Sequence, residues 1–244
     1  FQIVLNQIGW HAARLDGGYK SWRAHVLREL DTLPSRFRYR VIDGPTGAGK
    51  TLLLRCLRDA GAQVLDLENL AGHKGSVLGG PVGHPQTPRR LFDTHLYAAL
   101  SSFDPARPVW VEGESKRIGN IHLPSSLMSA MTGAERWMVR PARPERVAYL
   151  IADYADLIDA PDQLRARLKP LRVVHGADRV DQWNAWIDAK NWAALVDDLL
   201  IWHYDPLYER GRARAGFTAP QHEITPEKIG VSTYQTLAQT LADF

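Results

Sequence analysis

The stretch "DGPTGAGKT", residues 43–51, decides the fold. Gly44 is followed by four residues and then by Gly49, Lys50 and Thr51, the spacing G-x-x-x-x-G-K-[ST] of a phosphate-binding loop. Before it, Tyr39, Arg40, Val41 and Ile42 read as a strand. After it, Leu52, Leu53, Cys56 and Leu57 fall on one face of a helix over residues 50–60. Glycines at 44, 47 and 49 let backbone N–H groups turn inward into an anion-binding nest, and the helix N-terminus adds partial positive charge. Gly44, Pro45, Thr46, Gly47, Ala48, Gly49, Lys50 and Thr51 are the candidate phosphate site. Lys50 is the candidate catalytic cation for the terminal oxygens, and the Thr51 hydroxyl is a candidate Mg²⁺ ligand.

Outward from the loop, "AQVLDLE" (62–68) predicts a second strand, which completes a β-α-β unit. Residues 71–90 hold five glycines and three prolines and read as a long functional or mobile loop. A helix over 91–101, a buried strand "VWVEGES" (109–115), a helix entered at Pro124 and a strand over 136–140 follow. Beyond Pro141 and Pro144 the spacing turns helical, through Val147, Leu150, Tyr154 and Leu157 to Leu171, and again over 180–203. The expected fold is α/β: a P-loop NTPase-like, mostly parallel sheet with flanking helices over residues 35–140, then a mainly helical region, 141–244, packed on it.

Glu112 ends the strand "VWVE", where a phosphate-loop protein places an acid for the metal or its water; it is the second candidate catalytic residue and metal ligand, with Glu114 in reserve. Asp66 and Glu68 end the neighbouring strand and suit either a substrate base or solvated loop acids. His73, Lys74, Arg89, Arg90, Lys116 and Arg117 form a candidate positive rim around a diphosphate site, whereas Arg143 and Arg146 read as ordinary surface charge. Trp183, Trp186 and Trp192 have helical spacing and read as core. Cys56 lies on the inner helix face and reads as packing rather than as a nucleophile.

Thirty basic against twenty-seven acidic residues give a net charge of +3, which permits a polyanionic partner without requiring one. A single cysteine excludes an internal disulfide and fits a reducing, cytoplasmic setting. No run approaches the ~18 apolar residues of a membrane helix, so no membrane partner is expected. A chain beginning at Phe1, and running at once into an apolar stretch, reads as a piece of a longer protein.

Together, "GPTGAGKTLLLRCLRDAGAQVLDLENLAGHKGSVLG", "PQTPRRLFDTHLYAAL", "RPVWVEGESKRIG", "LPSSLMSAM" and "LLIWHYDPLY" resemble the phosphate-loop half of bacterial tRNA 2-selenouridine synthase, over about residues 10 to 210. In that family an N-terminal rhodanese domain with a catalytic cysteine precedes the phosphate-loop domain. The stretch "ARLDGGYKSWR" resembles the end of such a domain, so the resemblance marks residues 1–34 as a rhodanese remnant and linker and implies a missing rhodanese partner. The implied reaction geranylates wobble 2-thiouridine of tRNA from geranyl diphosphate, then replaces the S-geranyl group with selenium from selenophosphate. Residues 44–51 would hold the diphosphate or a nucleotide such as ATP or GTP, beside Glu112 and Glu114. Residues 72–76 and 116–119 match flanking family stretches, and His203-Tyr204-Asp205-Pro206 matches a stretch without an assigned role. With no exposed cysteine, the chain alone is expected to bind geranyl diphosphate and not to complete selenium exchange. A small-molecule kinase or NTPase, and a non-catalytic tRNA-binding module, are the alternative readings.

Overall fold

A computed structural model describes residues 2–80, 82–215 and 219–242. Phe1 of the apolar opening stretch and Pro81 of the long loop lie outside the described residues. The strands in chain order are β1 (Tyr39–Asp43), β2 (Gln63–Leu65), β3 (Val109–Glu112), β4 (Arg117–Ile118), β5 (Ile121–His122), β6 (Glu135–Val139) and β7 (His222–Ile224). Five of them form one sheet in the order β2-β3-β1-β6-β7, with every neighbouring pair parallel. Parallel neighbours need crossovers, and helices supply them on both faces. The phosphate loop leaves the C-terminal end of β1, a central strand, where ligands bind in open α/β sheets.

Side-chain alternation sorts the two faces. Val41, Val109 and Val111 pack with Val26, Leu30, Phe92, Leu96 and Leu127, from the helices Gly18–Thr32, Arg89–Ser101 and Ser125–Thr132. Ile42, Trp110 and Trp137 pack on the other face with Leu53, Leu54, Leu57, Tyr234 and Ala238, from the helices Lys50–Asp59 and Val231–Ala242. Each such buried leucine stabilises the fold by about 1.5–3 kcal/mol. Cys56 is buried in this second cluster, as its helical position predicts.

Four local readings change. The second strand stops at Leu65, because Asp66 caps the short helix Leu67–Ala71: its Oδ1 accepts the Asn69 N–H at 3.0 Å. The strand at 109 ends at Glu112, and residues beyond Gly113 turn into the β4–β5 ribbon. Helical spacing over 180–203 hides a break, since Lys190 adopts φ 52° between the helices Ala177–Asp188 and Trp192–Leu199. The second of these continues through a π-helical turn, Leu200–Tyr204, into Asp205–Ala215. Finally, the C-terminal region is not wholly outside the sheet, because β7 pairs with β6 and the helix Val231–Ala242 covers Lys50–Asp59. At the other end, Gly18–Thr32 buries Val26 and Leu30 in the sheet's own core.

The remaining helices form a lobe around Leu157, Leu164, Leu168, Val180, Trp183, Ile187, Leu195 and Leu199. Trp183 is fully buried there, with Trp186 and Trp192 packed partly buried against the cluster.

Candidate phosphate site

Between the sheet's C-terminal end and the helical lobe lies a cleft of ≈ 1540 Å³. Its floor is the phosphate loop. Gly49 caps the following helix with φ 71°, and a Cβ there would come within 2.8 Å of the Tyr234 ring, so both conformation and space require glycine. The loop is held from three sides: Lys50 Nζ donates to Gly44 O at 3.0 Å, Tyr234 OH to Ala48 O at 2.6 Å, and Arg146 Nε to Thr46 O at 2.8 Å. Arg146 is buried, against its reading as surface charge, because its guanidinium also grips Asp205 with two bonds of 2.6 and 3.1 Å. Arg143 does stay on the surface, paired with Asp197 at 2.9 Å.

Three carboxylates converge behind Lys50 and Thr51. The Thr51 hydroxyl donates to Glu68 Oε2 at 3.1 Å. A Cβ on Gly75 would lie 3.1 Å from Glu68 Oε1 and 3.0 Å from Glu114 Oε2, so these two carboxylates meet at the same point. Glu112 lies deeper: it is fully buried, accepts the Glu68 backbone N–H at 2.8 Å through Oε1, and does not line the cleft. It therefore reaches the site through Glu68, whereas Glu68 and Glu114 face the cleft directly. Burial, then the Glu68, Glu114 and Asp66 charges, raise Glu112 well above the usual carboxylate range. Burial and Glu68 push Glu114 up to about 8 against the pull of Lys50. Glu68 is raised by burial too, and Lys50 and the Thr51 bond oppose that.

The donor set fits a hard cation: a threonine hydroxyl and carboxylate oxygens beside a backbone cradle for phosphate. Among the described residues no group of three His, Cys, Asp or Glu side chains forms a ready metal cage.

The expected positive rim divides. His73, Lys74 and Lys116 line the cleft. Lys74 Nζ is engaged with Asp153 Oδ2 at 2.8 Å and stands 4.3 Å over the Tyr154 ring, and Ser76 Oγ lies 3.2 Å from Tyr154 OH, so residues 74–76 of the long loop are latched to the lobe. Burial and Arg167 lower the His73 imidazole. Arg89, Arg90 and Arg117 are not cleft residues. Arg89 and Arg23 both pair with the buried Asp93, and Arg117 bonds back to its own ribbon at Asn120. Arg212 and Tyr208, from the helix Asp205–Ala215, line the cleft instead.

His203-Tyr204-Asp205-Pro206 has no role legible in the sequence; in space Asp205 holds Arg146 against the loop, and His203 and Tyr204 line the cleft. A single signal pointed to this segment, its family likeness. Tyr234 carried none, since it lies 186 residues from the carbonyl it holds.

A parallel sheet with a phosphate loop at its central strand, acids behind the loop and a helical lobe across the cleft defines a P-loop NTPase-like protein. The chain belongs to the family described as the tRNA 2-selenouridine synthase AAA domain, whose profile matches residues 37–169. It is 29% identical over 222 residues to a tRNA 2-selenouridine synthase of Marinobacter nauticus, covering 79% of this chain and 59% of the relative. To the proteins of the same name from Nitrosomonas eutropha and Nitrosomonas europaea it is 36% identical over 178 residues and 32% over 175, covering 70% of this chain and 45% of each relative. The chain thus spans about half the length of these curated relatives. No solved structure matches it significantly. Among the described residues, no helix is long and apolar enough to cross a membrane.

Proposed function

We propose that the cleft binds the diphosphate of a prenyl donor and that the chain is the transferase part of a cytoplasmic tRNA 2-selenouridine synthase, geranylating wobble 2-thiouridine. The supporting observation is the convergence of Lys50, Thr51, Glu68 and Glu114 on one side of a cleft large enough for a nucleotide or a prenyl diphosphate together with a base. In transfer of geranyl to sulfur, the carbon–oxygen bond to diphosphate breaks and negative charge grows on the leaving oxygens. Lys50 and the loop N–H groups are placed to stabilise that charge. Thr51 with Glu68 and Glu114, and Glu112 behind them, would hold a Mg²⁺ ion, which would supply neutralising charge for the diphosphate. Arg146, fixed by Asp205, keeps the loop in its binding shape. The tRNA and the selenophosphate of the second step come from the relatives' name and the family likeness, as does a rhodanese domain preceding this one.

The deciding measurement is protection against thermal unfolding by geranyl diphosphate, ATP or GTP with Mg²⁺. A ligand at a hundred times its Kd adds about 2.7 kcal/mol. Protection by geranyl diphosphate, with S-geranyl nucleoside formed on thiolated tRNA, supports the reading. Protection by ATP or GTP alone replaces it with the NTPase reading.

A further inference from the structure

The π-helical turn Leu200–Tyr204 carries a buried histidine, one of whose ring nitrogens has no partner. His203 is 4% exposed and lines the cleft. Its Nδ1 lies 3.0 Å from Nε2 of His175, a half-buried residue that ends the exposed helical turn Arg172–His175. Its Nε2 has no hydrogen-bond partner among the described residues. Burying a polar atom without a partner costs about 1–3 kcal/mol, so an unpaired nitrogen sealed beneath a residue of the cleft wall needs a functional reason. Single π turns inside longer helices are enriched at functional sites, and this one joins Trp192–Leu199 to Asp205–Ala215.

We infer that His203 is the cleft's proton acceptor and His175 its outlet to solvent, the substrate group being the acidic N–H of a thioamide base. The inference rests on the prenyl-transfer reading above. When the thiouridine sulfur attacks the prenyl carbon, the sulfur–carbon bond forms, the carbon–oxygen bond to diphosphate breaks, and the ring keeps its neutrality only by losing the N3 proton. His203 Nε2, sealed in the free protein, takes that proton once the bound base has reached it, while His203 Nδ1 passes its own to His175 Nε2, and the Nδ1 proton of His175 leaves to water. Protons and charge balance, with no imidazolium left in the wall.

The surroundings suit a neutral relay. Burial, His175 and Arg210 pull His203 down to about 4, so it stays uncharged through the neutral range. His175 is lowered by burial, Arg179 and Arg210, and Asp198 opposes them. Arg179 is itself paired with Asp198 at 3.0 Å and stacks on Trp202, 4.1 Å from the ring centroid. A bare imidazole with a proton to pass on accepts from a weak acid without first having to be deprotonated.

The test uses the full chain in single turnover with geranyl diphosphate, Mg²⁺ and a thiolated anticodon stem-loop. His203→Ala is expected to slow S-geranylation about a hundredfold, with ligand protection kept and part of the rate returned by added imidazole. His203→Gln, which keeps the volume, is expected to be as slow with an unchanged melting temperature. His175→Ala is expected to be slowed less and to shift the pH profile. An unchanged rate in both His203 variants overturns the relay, as does a loss that imidazole leaves untouched. Should the wild-type chain transfer no geranyl, the prenyl reading falls, and ¹⁵N NMR of the free protein at pH 7 still decides the pair. His203 bearing its proton on Nδ1, with Nε2 perturbed by the stem-loop, supports the relay. A proton on Nε2, or an Nε2 unmoved by the stem-loop, overturns it.

Discussion

Lys50 brings a positive charge into the cleft while belonging to no apolar cluster; its ammonium bonds only a loop carbonyl, Gly44 O, among the described residues. Lys50→Ala is therefore expected to reduce geranyl transfer by about 10²–10³ and to cost much less in folding stability, about 1 kcal/mol for the lost loop bond. Transfer at the wild-type rate would remove Lys50 from the mechanism. Glu114 is the other side chain whose environment has a measurable consequence. Burial and the neighbouring Glu68 hold it near 8, above its ordinary value of 4.5, so the folded protein retains a proton that the unfolded chain loses. A raised folded value means stability is fully present below about pH 4.5 and is lost as pH rises toward 8. In metal-free buffer the melting temperature is expected to fall between pH 5 and pH 8, and Glu114→Gln should flatten that slope. An equal slope in the variant would show that the acids are not packed as described.

Two neighbouring helices of the cleft wall decide how the loop is held. The helix Arg143–Asp153 carries Arg146, and the helix Asp205–Ala215 begins with Asp205, which receives the other end of the same guanidinium. Removing Asp205 leaves a buried charge with only the Thr46 carbonyl. Asp205→Ala is expected to cost about 1–3 kcal/mol, less than a wholly buried pair because Asp205 is one-third exposed, and to weaken diphosphate protection tenfold or more. An unchanged affinity would show that Thr46 needs no clamp. The strand, loop and helix around residues 39–59 were legible in the sequence, because a short alternating run, fixed glycine spacing and a helical apolar face are all local patterns. Arg146 was not, since nothing near it in sequence marks a charge that pairs 59 residues away. Asp66 failed as a strand residue for a local reason: its capping bond ends the strand, and a reading by alternation does not weigh that. Arg89 and Arg90 follow the long loop in sequence but lie on a helix outside the cleft, where Arg89 pairs with Asp93, and no local pattern announces that placement.

Across the whole molecule the chain closes on itself. After the helical lobe it returns to add β7 beside β6, and the helix Val231–Ala242 then lies along Lys50–Asp59, the helix that starts at the phosphate loop. No local pattern announces this return, since β7 has three residues and none of them is fully buried. Its consequence is that the phosphate loop depends on the far end of the chain. Tyr234, fully buried, bonds the Ala48 carbonyl, and its ring lies where a side chain on Gly49 would be. Tyr234→Phe keeps the ring and removes the bond, so it is expected to cost about 1–3 kcal/mol from the unpaired buried carbonyl and to leave the overall fold intact. Deleting residues 219–244 uncovers Leu53, Leu57 and Trp137 as well, and is expected to abolish cooperative melting together with diphosphate protection. Thermal scans of the two variants with and without geranyl diphosphate separate the effects. Were the truncated chain to melt cooperatively and still be protected by the diphosphate, the loop would owe its shape to the sheet and Arg146 alone.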